Sequence, residues 1–219
     1  MQKLILYFHK ANDYTGSTRA LATAIGTKNA RVITLNVNGE GFLSEMKNVV
    51  LIPVMYPQLK GHNIPIVTFI VSYISRIVQT IKESKNVNVF YINTITPFYA
   101  AIIGRLLGKE IVYHIHEKII NPSLVYRIAE YIFNNTPSKT IYVSKYLSEC
   151  YPKKIGDYSV IYNRLPENFL SKVCVRPIEE RSRTQILMIS SLSKEKGVDM
   201  FYKIASMLPE LNFVLVLSV

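Results

Sequence analysis

Three short stretches carry side chains that could do chemistry. The first is Tyr113-His114-Ile115-His116-Glu117, at the end of an apolar run that begins at Ile111. In an extended strand, residues two apart point to one face, so His114 and His116 are presented together. Glu117 follows at the strand end, where open α/β sheets place their ligands. The pair fits a cleft-facing role, a metal site short of a third nearby ligand, or a buried hydrogen-bonded pair with no chemistry. Glu117 reads as a residue that orients this region rather than one that attacks.

The second stretch is Ser190-Ser191-Leu192-Ser193-Lys194-Glu195-Lys196-Gly197. An apolar strand, Ile186 to Ser190, precedes it. Val198, Phe201, Ile204, Ala205 and Leu208 then recur at helical steps. A turn that opens a helix offers backbone N–H groups to an anion. Lys196 adds a point charge suited to phosphate, and Gly197 lets a ligand approach the chain closely. The same turn with a solvated lysine would need no ligand. The third stretch, Thr15-Gly16-Ser17-Thr18-Arg19, follows the first strand and opens a helix. That arrangement can hold a phosphate or sugar, or serve as a simple turn. The fuller G-x-G-x-x-G is absent, so a dinucleotide fingerprint, and with it an epimerase-like nucleotide-sugar enzyme, is disfavoured.

The elements that must position these residues alternate in type. Strands are expected at 4–8, 31–37, 48–54, 87–93, 110–114, 139–143 and 159–162. Helices are expected from Gly16, over 65–85, from Thr96 to Leu107, over 123–134 and from Ser144 to Tyr151. Thr96 is read as a cap with Pro97 in the first turn, and the helix over 65–85 as a core helix with Phe69, Tyr73, Ile77 and Ile81 at four-residue steps. Alternating strands and helices give a Rossmann-like α/β domain with a parallel, doubly wound sheet. Residues 163–184 hold Pro166, Pro177 and the charged run 179–183, and read as a linker. The expected division is therefore a first domain over 1–162, a linker over 163–184 and the start of a second Rossmann-like domain over 185–219.

With 49% hydrophobic residues, the 219-residue chain can bury a core and is no disordered segment. Cys150 and Cys174 form neither a metal spacing nor a disulfide framework, and no signal peptide leads the chain, which fits the cytoplasm. The apolar stretch 64–74 is too short to span a bilayer. Net charge is +11, and its excess lies in residues 1–164, with 19 Lys and Arg against 9 Asp and Glu. That asymmetry points to an anionic partner, a membrane surface or lipid phosphate, ahead of nucleic acid, for which no motif is present.

Several motifs, taken in order, resemble family 4 (group 1) glycosyltransferases of the two-domain GT-B type. Ile111 to Glu117 is similar to the family's strand-end v-x-H-x-H-(D/E). Thr140 to Tyr151 resembles its i-x-V-S strand and helix. Val160 to Phe169 resembles its V-I-x-N-G exit from the first domain, with Asn163 matching and Arg164 in place of glycine. Ile186 to Ala205 resembles its strand and G-R-L-x-x-x-K-G turn, with Ser190 and Ser191 in place of Gly and Arg. The resemblance implies a retaining transfer from a UDP- or GDP-linked sugar, without metal or other cofactor. The acceptor would be a glycan or lipid-linked molecule in cell-surface polysaccharide synthesis, at the inner face of the membrane. It implies that His116 faces the transferred sugar, that Gly16, Ser17, Ser191, Lys196 and Gly197 lie toward the donor diphosphate, and that Glu117 and Asn163 support them. The family's paired glutamates of E-x7-E are not found, since no two glutamates here stand eight apart. A truncated enzyme is therefore expected, or, as the alternative, a non-catalytic remnant that binds membrane, acceptor or a full-length partner.

Overall fold

A computed structural model of the chain describes residues 4–35, 39–54, 66–118, 122–151, 155–164, 184–192 and 196–218. The chain divides into two compact units, Met1–Pro166 and Glu167–Val219. Most of the expected linker lies outside the described residues.

The first unit contains β1 (Ile5–Ala11), α1 (Gly16–Ile25), β2 (Ala30–Leu35), β3 (Val49–Pro53) and α2 (Ile66–Glu83). It continues with β4 (Val89–Asn93), α3 (Phe98–Leu106), β5 (Glu110–Ile115), α4 (Leu124–Asn135), β6 (Lys139–Tyr142), α5 (Lys145–Cys150) and β7 (Tyr158–Val160). The strands form one seven-stranded sheet in the order β3-β2-β1-β4-β5-β6-β7, and every adjacent pair is parallel. Chain order reverses between β1 and β4. This is the switch point at which open α/β sheets leave a crevice.

Side-chain alternation along the strands splits the core in two. Leu6, Phe8, Phe90, Ile92 and Tyr113 pack to one side with Phe133 of α4. Tyr7, Val32 and Tyr91 pack to the other, against Leu21 and Ile25 of α1 and Leu43. Each fully buried aliphatic side chain of this kind contributes about 1.5–3 kcal/mol. Helices α4 and α5 are each capped by a serine side chain: Ser123 accepts from the Tyr126 N–H and Ser144 from the Leu147 N–H.

Two expectations fail. Helix α3 starts at Phe98, with Pro97 before it and no side-chain cap. The Thr96 hydroxyl is instead paired with Thr94 Oγ1 at 2.8 Å. Pro97 itself stands at the cap position, and its ring carries no oxygen to accept from the first helical N–H groups, while the threonine hydroxyl pairs with the strand end. Helix α2 buries only part of the expected face: Tyr73 is half-buried against the core, Ile77 and Ile81 are exposed, Ser72, Thr80 and Ser84 are buried instead, and the Phe69 side chain lies outside the described residues.

The second unit has β8 (Gln185–Ser191), α6 (Val198–Met207) and β9 (Asn212–Ser218), the two strands pairing in parallel. Phe201 meets Phe213 edge-on at 5.4 Å between ring centroids.

Candidate functional site

Three strand ends meet at the switch point of the first unit. His9 lies near the end of β1, Asn93 ends β4, and His116 follows β5. By alternation they share the face of Tyr7 and Tyr91. Asn93 Nδ2 donates to the Ser17 carbonyl at 3.1 Å, an oxygen that can only accept. The amide nitrogen also points at His9 Nδ1, 3.0 Å away. Asn93 Oδ1 therefore faces His116 Nε2 at 2.8 Å, so that Nε2 carries the hydrogen. His116 Nδ1 is left as the unprotonated nitrogen, able to accept from a ligand hydroxyl. His9 Nδ1 accepts, so its Nε2–H donates to Thr18 Oγ1 at 2.9 Å, and the Thr18 hydroxyl donates in turn to Asp13. The chain His116–Asn93–His9–Thr18–Asp13 is thus hydrogen-bonded throughout.

Burial keeps these imidazoles neutral. It pulls His9 and His114 down to about 4, and His116 to about 3 with His114 and His9 adding to the effect. The His114 ring lies against that of His116, centroids 4.0 Å apart and planes tilted by 50°, and its Nδ1 lies 2.8 Å from the Tyr91 hydroxyl. Among the described residues no three His, Cys, Asp or Glu side chains converge as metal ligands.

The entrance to α1 already holds an internal anion. Asp13 accepts from the Thr15 N–H at 3.0 Å, from Thr15 Oγ1 at 2.6 Å and from Thr18. Burial pushes this carboxyl up, but the hydrogen bonds outweigh it and hold the group below its ordinary value. An incoming phosphate would share the entrance with that carboxylate. A side chain at Gly16 would meet nothing within 4 Å, so the space beside it is open. Asn12, fully buried, ties the 39–46 loop to this entrance. It donates to the Gly39 carbonyl and to Ser44 Oγ, and accepts from the Leu43 N–H. A Cβ at Gly41 would lie 2.6 Å from the Asp13 nitrogen, so only glycine allows this approach.

A pocket of about 190 Å³ opens beside His9. Lys10, Thr34, Arg76, Tyr73 and Tyr99 help to line it. The Arg76 guanidinium lies 5.4 Å from the Tyr73 ring centroid and 5.8 Å from that of Tyr99, a placement held by cation–π attraction. Among the described residues no acidic side chain lines this pocket. Two cations in mostly aromatic and aliphatic surroundings favour an anion with an apolar body.

Of the residues singled out by sequence, Ser17 and His116 are brought to one partner, Asn93. Glu117 is exposed just beyond, and Asn163 is exposed in the coil after β7. In the second unit, Ser191 ends β8, Lys196 is exposed, and Gly197 precedes α6. Gly197 has φ +76°, so glycine is needed there for the backbone turn itself. His9, Asn12, Asp13 and Asn93 were missed. Their one local signal is a polar side chain at the carboxyl end of an apolar strand.

No protein-family model and no curated protein matches the sequence. Solved structures do. HepE from Anabaena, in complex with UDP and glucose, superposes with a TM-score of 0.68 at 17% identity over 98% of this chain. Sucrose-phosphate synthase from Thermosynechococcus elongatus gives 0.63 at 11% identity over 99%. A UDP-glucosyltransferase from Polygonum tinctorium gives 0.58 at 8% identity over 100%. The chain spans 61% of the HepE chain, 62% of the synthase and 72% of the plant enzyme. The likeness is one of fold: this is a Rossmann-like α/β architecture of the GT-B type.

Proposed function

We propose that the chain is the acceptor-side unit, and the opening of the donor-side unit, of a family 4-like retaining glycosyltransferase. It moves a sugar from a UDP- or GDP-linked donor to a glycan or lipid-linked acceptor of cell-surface polysaccharide synthesis, on the cytoplasmic side of the membrane. The observation that carries this reading is the hydrogen-bonded chain at the switch point, which fixes His116 neutral with one ring nitrogen open to a hydroxyl. A neutral imidazole beside a transferred sugar accepts from its hydroxyls and sets their orientation. Ser191, Lys196 and Gly197 face the donor diphosphate, with Gly16 and Ser17 bordering it and Glu117 and Asn163 in support. The Arg76 and Lys10 pocket receives the anionic group of the acceptor. Family resemblance and the UDP-bound fold relatives support the donor class. The reading calls for no metal or other cofactor.

The test is calorimetric titration with UDP, GDP and their sugar conjugates, followed by transfer assays with lipid-linked acceptors. Micromolar binding that His116→Ala weakens for the sugar conjugate, but not for free UDP or GDP, supports the assignment. A folded chain that binds no nucleotide favours the second reading, a non-catalytic module that binds membrane or acceptor.

A further inference from the structure

Helix α2 turns many of its apolar side chains outward. Ser72 and Thr80, 1% and 0% exposed, face the protein, with Thr80 Oγ1 donating back to the Arg76 carbonyl at 2.7 Å. Ile74 and Val78, each 56% exposed, face away, together with Ile70, Ile77 and Ile81. Helix α2 packs beside α3, and α3 beside α4, so the three share a layer. Their outward sides continue the pattern. Leu106 of α3 is 80% exposed and Leu124 of α4 is 74% exposed, with Ile102, Ile128 and Tyr131 also open.

The charges on this layer have one sign. Among the described residues of the three helices, the exposed charged side chains are Lys82, Arg105 and Arg127. Glu83 is drawn toward Arg31 at 2.7 Å, and Glu130 is half-buried. An exposed apolar layer of this kind marks an interaction surface. Cations around it select an anionic partner. A second copy meeting it about a two-fold axis would bring cation against cation. No helix among the described residues is long and apolar enough to cross a membrane. An apolar face rimmed by Lys and Arg instead lies flat in the headgroup region.

We propose that the α2–α3–α4 layer is a docking surface that sits in the interface of an anionic lipid bilayer. The inference deepens the proposed function and rests on it only for its purpose. Tyr73 and Arg76, on another side of α2, line the pocket, so the helix that lies in the lipid also borders the acceptor site.

The chain has no tryptophan, so Ile74→Trp installs a single emission reporter on this face. Vesicles of phosphatidylcholine alone, or mixed with phosphatidylglycerol, are added at low salt. The inference expects a blue shift and quenching by brominated lipid with the anionic vesicles. It also expects the wild-type chain to float with them. Replacing Lys82 and Arg127 by Glu weakens flotation about fivefold or more per position. Ile74→Ser with Val78→Ser weakens it at least as much while circular dichroism stays unchanged. Emission that remains that of a water-exposed indole overturns the inference. So does a blue shift that grows with protein concentration without lipid, which would make this face a subunit contact. A chain that binds UDP but not vesicles sinks the docking surface and leaves the transfer reading standing; one that floats but binds no nucleotide does the reverse.

Discussion

Asn93 decides the state of the site because it joins both histidines to the entrance of α1. Its amide nitrogen serves Ser17 and His9, and its oxygen serves His116. Replacing it by Leu leaves two imidazole nitrogens, His9 Nδ1 and His116 Nε2, without their partner, at about 1–3 kcal/mol for each group that water cannot reach. Urea unfolding of Asn93→Leu is expected to show a loss of several kcal/mol, and Asn93→Asp a smaller one. A loss within 0.5 kcal/mol, about what an exposed surface change costs, would mean the network is not formed in solution. His116 was legible because its spacing and resemblance both lie within seven consecutive residues. Its partners were not, since Asn93 and His9 are 84 positions apart and nothing local announces the pair.

Among the elements, the strands were readable and one helix was not. Continuous apolar runs bounded by turn residues gave every strand of the parallel sheet to within a few residues, because such strands are covered on both faces. Helix α2 defeated the same logic. Its apolar residues have helical periodicity, but periodicity names a face without saying whether that face turns in or out. Helix α2 rests on the core through Tyr73, Ser72 and Thr80, and Ile70, Ile74, Ile77 and Ile81 are exposed. The consequence is measurable. Ile74→Gln is expected to change the stability of the first unit by less than about 0.5 kcal/mol. Leu21→Ala, on the fully buried face of α1, is expected to cost about 2–5 kcal/mol. Comparable losses from both would return α2 to the role of a core helix.

For the first unit as a whole, two buried imidazoles and one half-buried imidazole set the response to acid. His9, His114 and His116 are held down to about 4, 4 and 3 when folded, against an ordinary value near 6.5. The unfolded chain therefore takes up protons between about pH 6.5 and 4 that the folded unit refuses. Their contribution to stability is intact above pH 6.5 and is lost as the pH falls through that window. The limiting slope is about 1.4 kcal/mol per pH unit for each histidine. Asp13, whose carboxyl is held low, extends the loss to still more acid conditions. Midpoints of urea unfolding measured from pH 7.5 to 4 should fall steadily, and His114→Gln should flatten the curve. A midpoint that stays level down to pH 5 would contradict the burial of these rings.

Tyr73, in the pocket, and Ile74, on the outward face of α2, are consecutive residues. Along a helix that is about 1.5 Å of axial rise. Across the helix the two faces lie about 10 Å apart, so a ligand bound beside Arg76 would be held within about a helix diameter of the lipid headgroups. Encounters would follow a two-dimensional search, and rates would scale with the number of acceptors per unit of vesicle area. Diluting the acceptor with inert lipid at constant bulk concentration would slow the reaction, whereas adding more vesicles of the same composition would leave saturation unchanged.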